Sequence, residues 1–192
     1  YHGRGMYSTD LRIRLDGALG LEPSHEPSPG ERLAAVLVPI LDSRSVLFTK
    51  RTEDLSRHPG EISFPGGIRQ EEDAAAVDTA LRETQEELGI DPGAVEVLGA
   101  LPPIHTFVSS ILIVPFVGLL EDPPILRPNP GEIAEVLVFP LDALAAAEKE
   151  VEWKLKVGVY RGHAYEMGDH TIWGATAHIL HGLLEILGPE RA

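Results

Sequence analysis

The sequence contains no cysteine, has fewer cations than anions and carries no long apolar segment. Without cysteine, the chain can form neither a disulfide nor a zinc–thiolate site. Its 16 lysines and arginines stand against 30 aspartates and glutamates, which gives a formal net charge of −14. Affinity for nucleic acid depends on neutralising several phosphates with lysine and arginine, so we expect no nucleic-acid partner. A small phosphorylated ligand remains compatible with this charge, because a bound cation can offset a few phosphate charges.

Two further absences concern membranes and secretion. No apolar run approaches the roughly 20 residues that a membrane-spanning helix requires, and no secretory pattern stands at the start of the sequence. The lack of cysteine also fits a reducing compartment. We therefore expect a cytoplasmic protein without a membrane partner, and the sequence carries no signal of an oligomeric state.

The composition is that of an ordinary globular protein, with 43% apolar and 24% charged residues in a chain of 192. A short amphipathic helix at 8–20 and a proline-rich loop are predicted within 1–30, an appendage to a single domain at 31–192. Apolar and alternating runs predict strands near 33–41, 45–50, 61–64, 95–101, 111–119, 133–139, 151–160 and 164–167, and helices near 74–88, 141–149 and 172–187. Mixed strands with one helix early and one late predict an α/β or α+β sandwich.

The stretch 64–90 carries the strongest functional pattern. It contains the turn Gly66-Gly67 and an acidic turn, and then continues with helical periodicity. Asp73 stands before three alanines as the predicted N-cap of the helix. Gly89 marks the predicted end of the helix.

Three glutamates of this helix, Glu83, Glu86 and Glu87, are spaced by three and four residues. At roughly 100° per residue they converge on the side opposite a mainly apolar stripe. Like charges at these spacings destabilise a solvated helix by a few tenths of a kcal/mol per pair. Carboxylate oxygens are the ligands that Mg²⁺ prefers. The pattern therefore favours a magnesium site, with a solvated acidic face as the alternative.

These glutamates belong to a longer pattern that resembles the signature of the Nudix hydrolases, a glycine-led loop feeding a helix that carries Arg-Glu-x-x-Glu-Glu-x-Gly. The matching positions are Gly67, Asp73, Arg82-Glu83, Glu86-Glu87 and Gly89. Two positions depart from the common pattern: Asp73 replaces a glutamate, and the spacing from Gly67 to Arg82 is one residue longer. The resemblance implies an α/β/α sandwich with a mixed β-sheet. It also implies a pyrophosphohydrolase that uses Mg²⁺, with Mn²⁺ as the alternative ion.

A second motif, upstream of the glycine turn, resembles the accessory motif of the coenzyme A pyrophosphatase branch of that family. Its matching residues are 47–52, Arg57, Gly60 and 64–67. That branch shares the longer spacing and the aspartate at position 73, so both departures become agreements. The internal arginine of the motif would fall at position 56, which is Ser56 here, with Arg57 beside it. Residues 172–176 also resemble the branch.

The resemblance implies hydrolysis of the pyrophosphate bond of coenzyme A, giving 3′,5′-ADP and 4′-phosphopantetheine. The implied catalytic residues are Arg82, Glu83, Glu86 and Glu87. The implied metal ligands are the three glutamates, the Gly67 carbonyl and one carboxylate outside the helix, with Glu132 or Glu135 as candidates. The implied substrate-binding residues are Lys50, Arg51, Arg57, Gly60, Phe64 and Gly66. Arg82 is expected to orient Glu83, and the general base stays open between a helix carboxylate and a loop glutamate.

Other interpretations keep the same site. The substrate could instead be ADP-ribose, a dinucleoside polyphosphate or a nucleoside triphosphate, and in each case the partner is a small phosphorylated molecule. A non-catalytic nucleotide-sensing Nudix domain is the alternative from another class, but its usual feature is the loss of helix glutamates. His178 and His181 are spaced like metal ligands, yet a histidine pair on an apolar helix is more often structural, and we assign no role to the late histidines.

Overall fold

The computed structural model describes residues 11–20, 27–53, 60–106, 110–155 and 158–188. Residues 11–15 are helical (α1), and Pro92–Ala94 form a short 3₁₀ helix. The remaining elements, in chain order, are β1 (Arg32–Leu41), β2 (Ser45–Arg51), β3 (Ile62–Ser63), β4 (Gly66–Ile68), α2 (Ala76–Leu88), β5 (Glu96–Ala100), β6 (Ile104–Thr106), β7 (Ile111–Leu120), β8 (Ile133–Pro140), α3 (Leu141–Ala147), β9 (Glu148–Leu155), β10 (Gly158–Met167), β11 (His170–Ile172) and α4 (Gly174–Leu187).

An eight-stranded mixed sheet forms the centre of the protein, in the order β3-β2-β1-β7-β5, with β4 beside β1, β6 beside β7 and β8 beside β2. β1 and β7 pair in parallel along their entire length. Both strands are covered on two faces, which explains their continuous apolar sequences. β1 and β2 form an antiparallel hairpin, and Asp42 and Ser43 adopt the positive φ values of a tight hairpin turn.

Helices cover both faces of this sheet. Alternate residues of a strand point to opposite faces, so Ala35 and Leu37 of β1 join the apolar cluster under α2, whereas Val38 and Ile40 join the cluster that contains α4. The α4 side also buries Leu11 and Leu15 of α1, Leu144 of α3, and Ile179, Leu180 and Leu183 of α4 itself. This layering confirms the predicted α/β/α sandwich with a mixed β-sheet.

The C-terminal part adds a three-stranded antiparallel sheet in the order β11-β10-β9. α3 ends at Ala147 rather than near 149, because the alternating sequence from Glu148 pairs as β9 with β10 over eight residues. The predicted strand 151–160 is wrong, because it combines the end of β9 with the start of the antiparallel strand β10. The predicted strand 164–167 forms the second half of β10. Pairing between strands therefore set these boundaries more strongly than local preference.

Three short strands were not predicted: β4, β6 and β11. β4 consists of Gly66, Gly67 and Ile68, and glycine is depleted in strands. It forms because β1 offers residues 34–36 as a pairing edge. β6 pairs in the same way with the start of β7. Among the helices of the described residues, none has the length and apolar character needed to cross a membrane.

Candidate active site

Helix α2 carries the three predicted glutamates, and local hydrogen bonds set its ends. It begins after Ala75, whose N–H donates to the Asp78 carboxylate at 2.8 Å. It ends at Gly89, which has a φ of 71° and donates its N–H to the Gln85 carbonyl at 2.8 Å. Gly89 is therefore confirmed as the end of the helix. The prediction that Asp73 is the N-cap is wrong.

Asp73 is instead buried against the side of α2, with 6% of its surface exposed. Arg82 donates to both carboxylate oxygens, from Nε at 2.9 Å and from Nη2 at 3.0 Å. The Thr79 hydroxyl and the Gln70 N–H donate to Oδ2 at 2.8 and 2.9 Å. The two bonds from Arg82, together with these donors, hold the pKa of Asp73 well below its usual range. Asp73 thus fixes Arg82 rather than the helix terminus.

Arg82 also contacts the first two glutamates of the cluster. Its Nη1 donates to Glu83 Oε1 at 2.8 Å and to Glu86 Oε2 at 3.2 Å. The Glu83 side chain is 17% exposed and the Glu86 side chain 57%. A guanidinium held by a buried aspartate thus places the Glu83 carboxylate through charge-assisted hydrogen bonds.

Glu87 lies deeper than its two neighbours, with 3% of its surface exposed. The segment 121–131 covers this end of α2: the Arg127 N–H donates to the Leu88 carbonyl at 2.7 Å, and the Asn129 N–H donates to the Glu87 carbonyl at 2.8 Å. These bonds satisfy carbonyls that a helix end leaves open. The sequence pattern placed Glu87 opposite the apolar stripe but did not indicate its burial.

Glu87 differs from Glu83 and Glu86 in making no ion pair among the described residues. Glu87 Oε2 is a buried oxygen without a hydrogen-bond partner among the described residues. Burial raises the pKa of Glu87 to about 8, although the charge of Arg51 opposes the shift. Burial likewise raises the pKa of Glu83 against the effect of Arg82. Burial of a carboxylate oxygen without a hydrogen-bond partner is unfavourable, and hard divalent cations prefer oxygen ligands. These residues therefore fit a divalent metal ion.

Glu132 lies close to this group, since its charge adds to the effect of burial in raising the pKa of both Glu83 and Glu87. Asn129 Nδ2 donates to Glu132 Oε1 at 3.0 Å and holds the side chain. Glu135, the other candidate, lies 3.9 Å from the Nε2 of His170. The structure therefore brings Glu132 to the helix carboxylates.

A cleft with a volume of about 600 Å³ opens beside these carboxylates. Gly67 belongs to both features: it lines the cleft, and a Cβ at this position would lie 2.5–2.7 Å from the atoms of the Glu83 carboxylate. Three predicted substrate-binding residues, Arg51, Phe64 and Gly66, also line it. The other lining residues are Arg32, Ala34, Val36, Glu61, Ser63, Ile68, Ile111, Ala175 and Thr176.

The remaining predicted substrate-binding residues are placed differently. Lys50 and Gly60 are not among the described residues that line the cleft. Arg57 lies outside the described residues. Arg51 has a buried Nε without a hydrogen-bond partner in the described part of the chain. Its charge also acts on Glu87, so Arg51 connects the cleft with the carboxylates.

Sequence reasoning missed two parts of the cleft wall. Thr176, on α4, donates from its hydroxyl to the Ile62 carbonyl at 3.1 Å and joins α4 to β3. The signal for this contact was the resemblance of residues 172–176 to the coenzyme A pyrophosphatase branch. Arg32 lines the cleft with Ala34 and Val36, which share one face of β1. Because alternate residues of a strand share one face, the positions of these three residues in the predicted strand could have indicated that they lie together.

Comparisons with known proteins agree with this architecture. A profile of the NUDIX domain matches residues 31–158. The chain is 39% identical over 169 residues to the uncharacterized Nudix hydrolase NudL of Pectobacterium atrosepticum, covering 86% of this chain and 88% of that protein. It is 39% identical over 161 residues to the mitochondrial Nudix hydrolase 15 of Arabidopsis thaliana, covering 77% of this chain and 55% of that protein.

A solved structure shows the same fold. The MutT NUDIX hydrolase from Burkholderia pseudomallei superimposes with a TM-score of 0.51 at 18% identity, covering 80% of this chain and 98% of the other. The NUDIX profile spans most of the sequence, and the alignment with the relative from Pectobacterium atrosepticum covers 86% of this chain. On the evidence of the domain match and of these relatives, this chain belongs to the Nudix hydrolase family.

Proposed function

We propose that this chain hydrolyses the pyrophosphate bond of coenzyme A and gives 3′,5′-ADP and 4′-phosphopantetheine. Membership of the Nudix hydrolases supports pyrophosphatase activity in general. The observation that carries the proposal concerns Glu87 and Arg51: Glu87 Oε2 and Arg51 Nε are both buried without a hydrogen-bond partner among the described residues. The charge of Arg51, which lines the cleft, acts on Glu87. Glu87 Oε2 can serve as a ligand of a cation, and the Arg51 Nε–H can donate a hydrogen bond to a phosphate.

The proposed metal ligands are the carboxylates of Glu83, Glu86, Glu87 and Glu132 and the carbonyl of Gly67. Mg²⁺ is the proposed ion and Mn²⁺ the alternative, because both accept oxygen ligands. When bound, the ion polarises the phosphate oxygens and screens the charge that develops on them.

The chain's own residues supply positioning and proton transfer. Arg82 holds Glu83, and its contact with Asp73 keeps it away from the substrate. Arg51 donates to a substrate phosphate. Glycine at position 66 lets β4 approach the backbone of β1, and glycine at position 67 leaves room for the Glu83 carboxylate. A glutamate of α2 or of the neighbouring loop accepts the proton of the attacking water.

Coenzyme A is preferred over other nucleotides because of the accessory motif and the cleft. Residues 47–52 and 64–67 resemble the motif of the coenzyme A branch, and four of its members line the cleft: Arg51, Phe64, Gly66 and Gly67. The 3′-phosphate of coenzyme A suits an arginine donor. Lys50, Arg57 and Gly60 stay proposed substrate contacts.

The proposal extends to the arrangement of the chain and its location. We propose that 31–192 form the catalytic domain, that 1–30 form an appendage to it, and that the protein is cytoplasmic.

A substrate panel tests this proposal. Coenzyme A, 3′-dephospho-coenzyme A, ADP-ribose, a dinucleoside polyphosphate and a nucleoside triphosphate are each incubated with the protein and Mg²⁺, and kcat/KM is compared. We expect the highest value for coenzyme A, with 3′,5′-ADP and 4′-phosphopantetheine as products. A higher value for another member of the panel would reject coenzyme A as the preferred substrate. Binding without turnover of any member would favour the nucleotide-sensing alternative.

A further inference from the structure

A second group of potential metal ligands lies outside the α2 site. We propose that Glu148, His163 and His181 form a site for a divalent transition metal ion, with Zn²⁺ as the best match. Glu148 begins β9, His163 lies in β10 and His181 lies in α4. Their ligand atoms all lie within 4.8 Å of one another. The proposal is independent of the substrate of the Nudix site.

Both imidazoles point a ring nitrogen at the same carboxylate oxygen. The Nδ1 of His181 lies 2.6 Å from Glu148 Oε1, and the Nδ1 of His163 lies 2.9 Å from the same atom. The two rings stack with their centroids 3.7 Å apart and an interplanar angle of 11°. The three side chains are 21–28% exposed, so the group is partly shielded but open to an ion from solvent.

Hydrogen bonding alone leaves this arrangement incomplete. The Tyr165 hydroxyl also donates to Glu148 Oε1, at 3.1 Å, so three groups converge on one oxygen with two lone pairs. His163 Nδ1 is buried and makes no hydrogen bond among the described residues, despite its short distance to that oxygen. A metal ion would use the lone pairs of both Nδ1 atoms and would relieve the crowding around Oε1.

The donor set selects the class of ion. Two imidazole nitrogens and one carboxylate oxygen are typical of Zn²⁺ and related transition metals, whereas Mg²⁺ prefers oxygen alone. Tetrahedral ligands about 2.0–2.1 Å from Zn²⁺ lie about 3.3 Å apart. Each nitrogen would therefore move away from Oε1 by less than about 1 Å. The two stacked rings would also rotate out of their parallel arrangement, so that the in-plane lone pairs of both Nδ1 atoms meet at the ion.

The ion would join two structural units. β9 and β10 belong to the three-stranded sheet, and α4 packs on the central sheet. α4 also contributes Ala175 and Thr176 to the cleft wall, and His181 lies about 7.5 Å further along the same helix. The proposed ion thus has a structural role, in which it fixes α4 against the β9–β10 hairpin.

Zinc binding by the full, untagged chain tests the proposal. The protein is treated with a chelator, desalted and titrated with Zn²⁺ against a chromophoric chelator. A large excess of Mg²⁺ is present to compete for the oxygen ligands of α2. We expect one Zn²⁺ per chain, and a loss of affinity of at least about tenfold in His163→Gln and in His181→Gln. No Zn²⁺ uptake in the presence of Mg²⁺, or unchanged affinity in both variants, would overturn the proposal.

Two control variants locate the ion. His105→Gln removes a histidine that lies outside the cluster, with its Nδ1 2.8 Å from the Glu31 carboxylate, and this variant should bind Zn²⁺ like the wild type. The double variant Glu83→Gln/Glu87→Gln should also retain the Zn²⁺ site. Loss of binding in the double variant would place the ion in the Nudix site and would reject the inference.

A measurement on the wild-type chain covers the case in which a histidine variant does not fold. X-ray absorption at the zinc edge distinguishes imidazole from carboxylate ligands. We expect scattering from two imidazoles in the Zn²⁺-loaded wild type with Mg²⁺ present. A spectrum without imidazole scattering would contradict the proposed ligands, whatever the behaviour of the variants.

Discussion

The carboxylates of α2 and the Glu148–His163–His181 cluster both gather potential metal ligands, but they differ in donor type and in charge balance. On α2, Arg82 neutralises part of the acidic group, while Glu87 Oε2 is buried and has no hydrogen-bond partner in the described part of the chain. In the cluster, one carboxylate faces two imidazoles that can each be neutral or charged. The first arrangement suits a hard ion with oxygen ligands and the second a borderline ion with nitrogen ligands. Donor type, rather than proximity alone, separates the two sites.

The largest expected effect is a loss of hydrolytic activity in variants of the α2 glutamates. Glu83→Gln and Glu87→Gln should each lower kcat by orders of magnitude, because loss of a metal ligand removes several kcal/mol of transition-state stabilisation. Glu86→Gln should cost less, since the Glu86 side chain is 57% exposed. Steady-state kinetics on folded variants measures this order. Near-normal turnover in both of the first two variants would reject their assignment as ligands.

The second prediction tests the buried ion pair between Asp73 and Arg82, which holds Glu83 in place. Asp73→Asn should destabilise the fold by about 3 kcal/mol at neutral pH, because it leaves Arg82 without its buried partner. The pKa of Asp73 is lowered by folding. The wild-type advantage is therefore present above the unfolded pKa near 4 and is lost as pH falls through the folded pKa.

Denaturant unfolding from neutral to acidic pH measures that difference. Asp122→Asn, at an exposed aspartate, is the matched control and should show little change. A difference between wild type and Asp73→Asn that stayed constant to the lowest accessible pH would contradict the electrostatic account of Arg82.

A glycine substitution tests the contact between the cleft and the carboxylates. Gly67→Ala would place a Cβ 2.5–2.7 Å from the Glu83 carboxylate, and a displacement of about 1 Å there can cost about 100-fold in kcat/KM. Gly182→Ala, where a Cβ would meet nothing within 4 Å, is the matched control. It should keep its activity and gain slight helix stability. Equal activity in the two variants would show that Gly67 is not a constraint on Glu83.

The smallest expected effect concerns substrate choice. If Arg51 contacts the 3′-phosphate, Arg51→Ala should lose roughly 1.5–3 kcal/mol for coenzyme A, and much less for 3′-dephospho-coenzyme A. The control is Arg161→Ala, which removes an arginine of β10 that pairs with Glu152 of β9. The ratio of kcat/KM for the two substrates is the readout. A similar loss for both would mean that Arg51 holds the pyrophosphate or the loop.

The two sites also show what the sequence could predict. The α2 glutamates and Gly89 were predictable because their geometry follows from the period of one helix. The burial of Glu87 was not, because it depends on the segment 121–131 folding over the helix end. The histidine cluster was missed because its members come from three elements that pair only in the folded chain. β1 and β7 were predictable from continuous apolar runs, whereas β4 formed despite its glycines.

The central claim, that the α2 carboxylates hold a divalent ion needed for hydrolysis, is tested most directly by removing and restoring the ion. Hydrolysis of coenzyme A by the wild type is measured in excess chelator, and then after addition of Mg²⁺ or Mn²⁺ in excess over the chelator. We expect activity to vanish with the chelator and to return with either ion alone, without added Zn²⁺. Full activity in the chelator would contradict the account.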